Sequence, residues 1–286
     1  MIETRKDSPS TKVLIQSFKS WHEFVDVAEH GKVLWKDLPK RTSRQETSNW
    51  DDLSLGNWQE VLELAKKGWV DKTVETKQYR TMIVDRLAKQ VKKLQWVQDV
   101  TGTDFDIGRL LNGSPDAWIS PDYKIQKGPS KRLLKITVNI CVHAAVDSKL
   151  VIERGLIIMA LCQLLEYSGR RVELIIQSAS KRGGKYKVVF SILAKKFQAM
   201  LDVPRCLFAL AHPGALRRIE FAVSECLPSM FARGLGVGRS YGSPDQIPLN
   251  MRGDIHFDTG FFSQSKFDPF EWLLQEMKAQ GVEFTN

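Results

Sequence analysis

Cysteine is scarce in this chain. Of 286 residues only Cys141, Cys162, Cys206 and Cys226 are cysteines, all inside apolar runs and none in a Cys-x-x-Cys pair. Free cysteine is among the most buried residue types, so these read as reduced, packed thiols and point to a reducing cytoplasm. Long hydrophobic runs are also missing. No segment reaches the roughly 18 apolar residues of a membrane helix, so no membrane partner is expected. The opening MIETRKDSPSTK lacks the apolar stretch of a secretory signal. G-x-S-x-G occurs only at Gly238–Gly242, inside a glycine-rich run that neither follows a strand nor opens a helix as a nucleophile elbow must, and no Walker Gly-Lys-Ser/Thr occurs. No coherent catalytic constellation emerges, and no cofactor is expected.

What is present suffices for a real core, since 43% of the residues are hydrophobic. The net charge is +9 and uneven: after residue 127, 21 Lys and Arg stand against 14 Asp and Glu. Such an excess favours contact with polyanions.

Residues 131–193 organise the rest. Ile136, Val138 and Ile140 alternate with Thr137, Asn139 and Cys141, the period of a strand, and the nearly continuous apolar character suits a strand covered on both faces. From Lys149 the period becomes helical and mostly apolar up to Tyr167, and Gly169 closes it. Val172, Leu174 and Ile176 form a second strand. Lys181–Lys187 is a polar hairpin tip centred on Gly183-Gly184, and Val188–Leu193 returns. A parallel pair needs a crossover of a dozen or more residues, which the helix at about 149–167 supplies. The class is therefore α/β with a partly parallel, Rossmann-like sheet flanked by helices. The returning strand, antiparallel to its neighbour, is expected at an edge.

This order of strand, long helix, strand and antiparallel strand resembles the von Willebrand factor A-like domain over roughly 130–285. That family's metal motif, Asp-x-Ser-x-Ser, ends the first strand. Here the matching positions hold Asn139, Cys141 and His143, and neither an amide nor a soft thiol replaces a carboxylate for Mg²⁺. The resemblance therefore implies the fold and not the metal. The Trp-rich first third, RGLIIMALCQLLE and HPGALRRIEF also look like a family of bacteriophage proteins, which implies no activity. Because ligands gather at the carboxyl ends of strands in open α/β sheets, Asn139, Cys141, His143 and Asp147 mark the expected position of a pocket.

Residues 1–125 read as a Trp-rich, mainly helical region and 126–286 as the α/β domain. Trp21–Gly31 and Trp58–Gly68 repeat one pattern, with Trp, Glu, Ala and Gly at the same offsets, so each is a short amphipathic helix stopped by glycine, the second capped by Asn57 or Ser54. Lys36–Asn49 reads as a polar loop. Val74–Val100 is expected to be one long helix with a stripe of Tyr79, Met82, Ile83, Leu87, Val91, Leu94 and Val97, leaving Lys77, Arg80, Lys89, Lys92 and Lys93 largely outside it. Seven of the eight tryptophans lie at or before Trp118, as core anchors rather than stacking platforms for bases. Asp104–Ile119 holds a short helix and a turn at Asn112–Pro115, and 121–130 is the linker.

Beyond the hairpin, 195–211 reads as a helix interrupted near Pro204, and Ala215–Cys226 as another with Arg217, Arg218, Glu220 and Glu225 facing out. The glycine-rich run from Gly234 to Gly242 reads as a loop, since it neither follows a strand nor opens a helix. Asp254, His256 and Asp258 share one face of a short strand, with Ile255 and Phe257 on the other. Two carboxylates and an imidazole are weak metal candidates, and a polar strand face is the plainer reading. The segment 269–280 is an amphipathic helix, with a final strand near 282–284. Lys181, Arg182, Lys185 and Lys187 form the densest basic tip, fit either to straddle a phosphate backbone or to keep a sheet edge from aggregating. The leading expectation is a non-enzymatic scaffold or adaptor that binds another macromolecule, a protein partner first, in the cytoplasm of a host cell or in a virion. The alternatives are nucleic-acid binding through the basic hairpin and the 77–93 helix, and a metal-dependent enzyme at the strand ends.

Overall fold

The computed structural model describes residues 2–8, 11–38, 42–44, 57–90, 95–99, 104–115, 117–122, 133–167, 169–258 and 275. Two strands open the chain, β1 (Ile2–Ser8) and β2 (Thr11–Phe18). The paired helices follow. In α1 (Trp21–His30) the Ser20 side chain accepts the Glu23 amide, and in α2 (Trp58–Lys67) Asn57 and Glu60 form a reciprocal capping box. They pack together as related units: the Trp21 indole N–H donates to the Ala65 carbonyl at 2.8 Å. Gly68, at φ +93°, ends α2 where a Cβ would come within 2.6 Å of Pro204.

The long helix expected over 74–100 is shorter. Helix α3 (Thr73–Gln90) is followed by a strand, β3 (Gln95–Asp99), which joins β4 (Asp104–Phe105) and β5 (Trp118–Asp122) in a small antiparallel sheet of order β3-β5-β4. Between β4 and β5 lies α4 (Ile107–Leu111), capped by Asp106, with the expected turn after it, where Gly113 has φ +70°. The expected linker thus begins as strand at Pro121 and Asp122.

The organising stretch forms as its periods predict: β6 (Leu133–Asn139), α5 (Ser148–Tyr167), β7 (Arg171–Arg182) and β8 (Tyr186–Lys195). Gly183 and Gly184 both have positive φ, +59° and +71°, in the three-residue loop that joins Arg182 to its partner Tyr186. Then come α6 (Val203–Ala211), with Pro204 in its first turn, a π-helical stretch Ala215–Glu220 running into α7 (Phe221–Glu225), α8 (Ser229–Leu235), β9 (Ser243–Pro244) and β10 (Ile255–Phe257).

The main sheet is mixed, with order β1-β2-β8-β7-β6-β10, and β9 pairs with the outer part of β7. β6 is parallel to β7 and to β10, β2 is parallel to β8, and the β7–β8 and β1–β2 pairs are antiparallel. One expectation is corrected: β8 is not an edge, because β2 pairs along it from Lys12↔Tyr186 to Phe18↔Ile192. The mainly helical first 125 residues also supply two strands of the main sheet, within residues 2–18, so that sheet draws on both sides of the boundary expected near 125.

Strand alternation sorts the core. Leu14, Phe18, Leu134, Ile136, Val138, Val172, Leu174, Ile176, Val188, Phe190, Ile192, Ile255 and Phe257 share one cluster with α1, α2, α5, α6, α7 and α8. α5 is apolar almost all round because it lies under other helices. Its Gly155 lets α6 approach so closely that a Cβ would lie 2.3 Å from the Ala211 Cβ. The opposite sheet face is thinner: Val13, Ile15, Ala179 and Val189 pack against Ile247. No helix among the described residues is long and apolar enough to cross a membrane.

The Ala215–Cys226 segment departs most from expectation. Arg218, Glu220 and Glu225 are buried, not outside. Bonding from i to i+5 winds more residues into each turn than an α-helix does, so residues that 3.6-residue spacing sends to solvent rotate inward. Glu225 then accepts bonds from the Ser43 amide and hydroxyl at 3.1 and 2.9 Å and from the Tyr241 hydroxyl at 2.8 Å. The segments expected at 269–280 and 282–284 lie outside the described residues, apart from Gln275, which is helical.

Candidate binding surface at the hairpin end of the sheet

β7 and β8 run past the end of β6. The last β6–β7 pair is Asn139↔Gln177, and β7 continues five residues to Arg182. At about 3.3 Å per residue the hairpin projects roughly 17 Å beyond β6. Its four expected basic residues divide by strand alternation. Lys181 and Lys187 stand opposite each other on the thinner face, and both reach Asp245, at 2.7 and 3.0 Å. Lys187 is buried and also donates to the Gln246 carbonyl at 2.8 Å. Burial of the Asp245 carboxyl works against ionisation, but the bonds from Lys181 and Lys187 outweigh it and hold its pKa below the ordinary value. These two lysines are therefore committed to the loop that carries β9.

Arg182 points to the other face, against α8, while Lys185 sits in the turn, and both are exposed. The glycine-rich run after α8 makes this contact close. Gly236 ends α8 in the left-handed region, at φ +72°, and a Cβ there would fall 1.8 Å from the Arg182 Nη1; a Cβ on Gly234 would strike the Tyr186 ring. The run is thus a helix C-cap fitted to the hairpin. Three further exposed cations belong to the same end: Lys12, whose ammonium contacts the Met230 Sδ at 3.5 Å, Arg233, which lies 5.7 Å over the Trp35 ring, and Arg239 beyond the Gly236 cap. Among the described residues, none of Lys12, Arg182, Lys185, Arg233 and Arg239 makes an ion pair. The sequence reading missed Lys12, Arg233 and Arg239 because the partners that gather them are distant along the chain. Only the strand pairing puts Lys12 beside the hairpin.

The helix and the hairpin are not one basic surface within the described residues. Arg80 donates to the Tyr167 hydroxyl at 2.9 Å, at the carboxyl end of α5, whereas the hairpin projects from the end where α5 begins. Lys92 and Lys93 lie outside the described residues, as does the side chain of Lys89.

The strand-end positions are occupied by mutual bonding. Asn139 is fully buried. Its amide donates to the Asp245 carbonyl at 2.9 Å and to Asp258 at 3.0 Å, and its side-chain oxygen accepts the Cys141 amide at 3.2 Å. Burial, with Glu220 nearby, raises the Cys141 pKa far above the ordinary thiol value, which makes it a poor nucleophile. His143 and Asp147 are exposed and serve the turn: the His143 ring accepts the Ala145 amide at 3.3 Å, and Asp147 accepts the Lys149 amide at 2.9 Å at the start of α5. Asn139 and Cys141 are thus buried, while His143 and Asp147 stand exposed in the turn.

Asp254, His256 and Asp258 do share the face opposite Ile255 and Phe257, but they bond in different directions. Asp254 accepts the Lys135 amide at 2.9 Å. The His256 Nδ1 lies 2.8 Å from the Thr137 hydroxyl and its Nε2 3.5 Å from Asp258, which Arg252 also approaches at 3.3 Å. Among the described residues no three Asp, Glu, His or Cys side chains converge as ligands for a metal.

Under the π-helical stretch, the Ser178 hydroxyl donates to the Glu220 Oε1 at 2.6 Å, and the Oε2 has no hydrogen-bond partner among the described residues. Burial raises the Glu220 pKa to about 7, against the opposing pull of Ser178 and Arg217. His212 is pushed down to about 4 by burial. Its Nδ1 accepts the Gly214 amide at 2.9 Å while the ring stacks on Phe208, so it is a neutral structural histidine. A cleft of about 110 Å³ between α1 and α6, lined by Trp21, His22, Asp202, Arg205 and Cys206, is well below the roughly 300–1,000 Å³ of small-molecule sites.

Fold and site together define a mixed-sheet α/β protein in which five exposed cations lie around one projecting hairpin. The chain belongs to the family described as "Domain of unknown function (DUF7192)", whose profile matches residues 3–283. No curated protein and no solved structure matches it.

Proposed function

We propose that the protein is a non-enzymatic binding protein that engages another macromolecule through the hairpin end of its main sheet. One observation carries this reading: five exposed cations, Lys12, Arg182, Lys185, Arg233 and Arg239, gather on the α8 side of that end without a described ion-pair partner, while the hairpin's other two lysines are held by Asp245. Uncompensated like charges repel one another and cost stability, so a surface that keeps them together is suited to an anionic partner. The sheet order β8-β7-β6-β10, with α5 as the crossover and β8 antiparallel, supports the von Willebrand A-like reading of that half. That architecture is commonly used for protein recognition.

A photo-crosslinking residue tests this. It is placed at Lys185, and separately at Met200, which is 93% exposed just beyond β8 at the opposite end of the sheet. In the source cell the Lys185 position is expected to give discrete adducts and the Met200 position none. Adducts at Met200 alone, or at neither position, refute the reading.

A further inference from the structure

We propose that the α8 side of the hairpin end binds the sugar-phosphate backbone of nucleic acid without reading its bases. This rests on the binding surface argued above and names its partner. The cations come from β2, from the hairpin and from α8 with its cap. In the sheet, Lys12 of β2 stands opposite Tyr186 of β8, and Tyr186 opposite Arg182 of β7. Two strand spacings of about 4.8 Å set the Lys12 and Arg182 positions about 10 Å apart. Duplex DNA carries one phosphate charge per roughly 1.7 Å of axis, so about six phosphates lie along such a span. Arg233 and Arg239 add charge from α8 and its cap.

The flanks decide between reading bases and gripping the backbone. A two-stranded ribbon can enter a major groove about 12 Å wide only when its sides are free. Here β2 lines β8 as far as Tyr186 and reaches the turn itself, the Thr11 hydroxyl donating to the Gly184 carbonyl at 2.6 Å, and β9 lines β7 at Ser180 and Lys181, so the ribbon has no free sides. No described atom lies within 4 Å of where a Cβ would sit on Gly183 or Gly184. Such a blunt tip, with Lys185 as the side chain its turn carries, allows close approach of a phosphate but not entry of a ribbon to read base edges.

Two other anionic partners fit less well. Peripheral membrane proteins insert the apolar face of an amphipathic helix, whereas in α8 that face, Phe231, Ala232 and Leu235, is buried in the core. Protein interfaces have aromatic and apolar centres depleted in lysine, whereas this patch is built of Lys and Arg, with Leu34 and Met230 the exposed large apolar side chains nearby among the described residues.

The test uses the full chain and fluorescence anisotropy with a labelled random-sequence 30-base-pair duplex and a single strand of equal length, from 50 to 200 mM NaCl. If the five cations each neutralise one phosphate, log affinity falls against log salt with a slope of about −4.5 for duplex and about −3.5 for single strand, roughly 500-fold and 130-fold over that range. The triple substitution Arg182→Ala, Lys185→Ala, Arg239→Ala is expected to cut the duplex slope by about 2.7. The control Lys67→Ala, Lys77→Ala, Lys196→Ala removes the same charge elsewhere and is expected to leave the slope within about one unit. All proteins are first matched by circular dichroism and Tm. Absence of binding at 50 mM salt, a salt-independent affinity, or equal losses in triple variant and control overturns the inference. If the Lys185 crosslinks go to protein alone, or phosphatidylserine vesicles bind the chain while neither nucleic acid does, the nucleic-acid inference falls and the binding surface itself stands.

Discussion

Glu220 offers a sharp test of the packing around the π-helical stretch. Its carboxyl lies under that stretch with one oxygen bonded to Ser178 and the other without a hydrogen-bond partner among the described residues, and burial raises its pKa to about 7 from 4.5. An acid with a raised folded pKa binds its proton more tightly in the native state. Its contribution to stability is complete below the unfolded value near 4.5, declines as pH rises, and is lost once pH passes the folded value near 7. A difference of about 2.5 units at 1.36 kcal/mol per unit is about 3 kcal/mol. Glu220→Gln keeps the shape and the Ser178 bond but removes the titration. Urea unfolding of both proteins between about pH 4.5 and pH 8 is the assay. Background titrations, including the opposite loss at low pH from carboxyls such as Asp245, cancel in the difference. The glutamine variant is expected to gain about 3 kcal/mol on wild type over that interval and to keep a constant margin above it. Parallel curves would refute the reasoning, because they would mean that Arg217 fully compensates an ionised Glu220.

Two further substitutions probe the frame that presents the hairpin. Asp245→Ala leaves Lys187 buried without its carboxylate, and the loss on breaking a buried pair is typically about 3–5 kcal/mol; partial exposure of Lys181 and the remaining bond to the Gln246 carbonyl place the expected destabilisation near the lower figure, read by urea unfolding at neutral pH. Gly155→Ala forces a methyl against Ala211 between α5 and α6, and overpacking of this kind is expected to cost about 1–3 kcal/mol in thermal unfolding.

Local pattern carried much of this fold. The two tryptophan-to-glycine segments became α1 and α2 because capping and amphipathic spacing act within ten residues. β6, α5, β7 and the Gly-Gly turn followed from periods and turn chemistry of the same range. What stayed hidden was long-range. β1 is charged, as an edge strand often is, and shows no apolar alternation; the pairing of β2 with β8 joins residues more than 170 apart, so β8 read as an edge. Ala215–Glu220 was misjudged because helical spacing was applied to a π-helical stretch, which placed Arg218 and Glu220 in solvent. The basic hairpin was legible as a cluster. Its division into Lys181 and Lys187 on one face and Arg182 on the other was implicit in strand alternation, but the consequence depended on Asp245, about sixty residues onward. Lys12 and Arg239 entered the surface only through strand pairing and the α8 cap.

The measurement closest to the central claim is the salt dependence of duplex affinity for wild type beside the variant lacking Arg182, Lys185 and Arg239. A steep wild-type line that flattens by about 2.7 in slope in that variant is the result expected if the hairpin end is the binding surface and phosphate its target. Two lines of equal slope would contradict it.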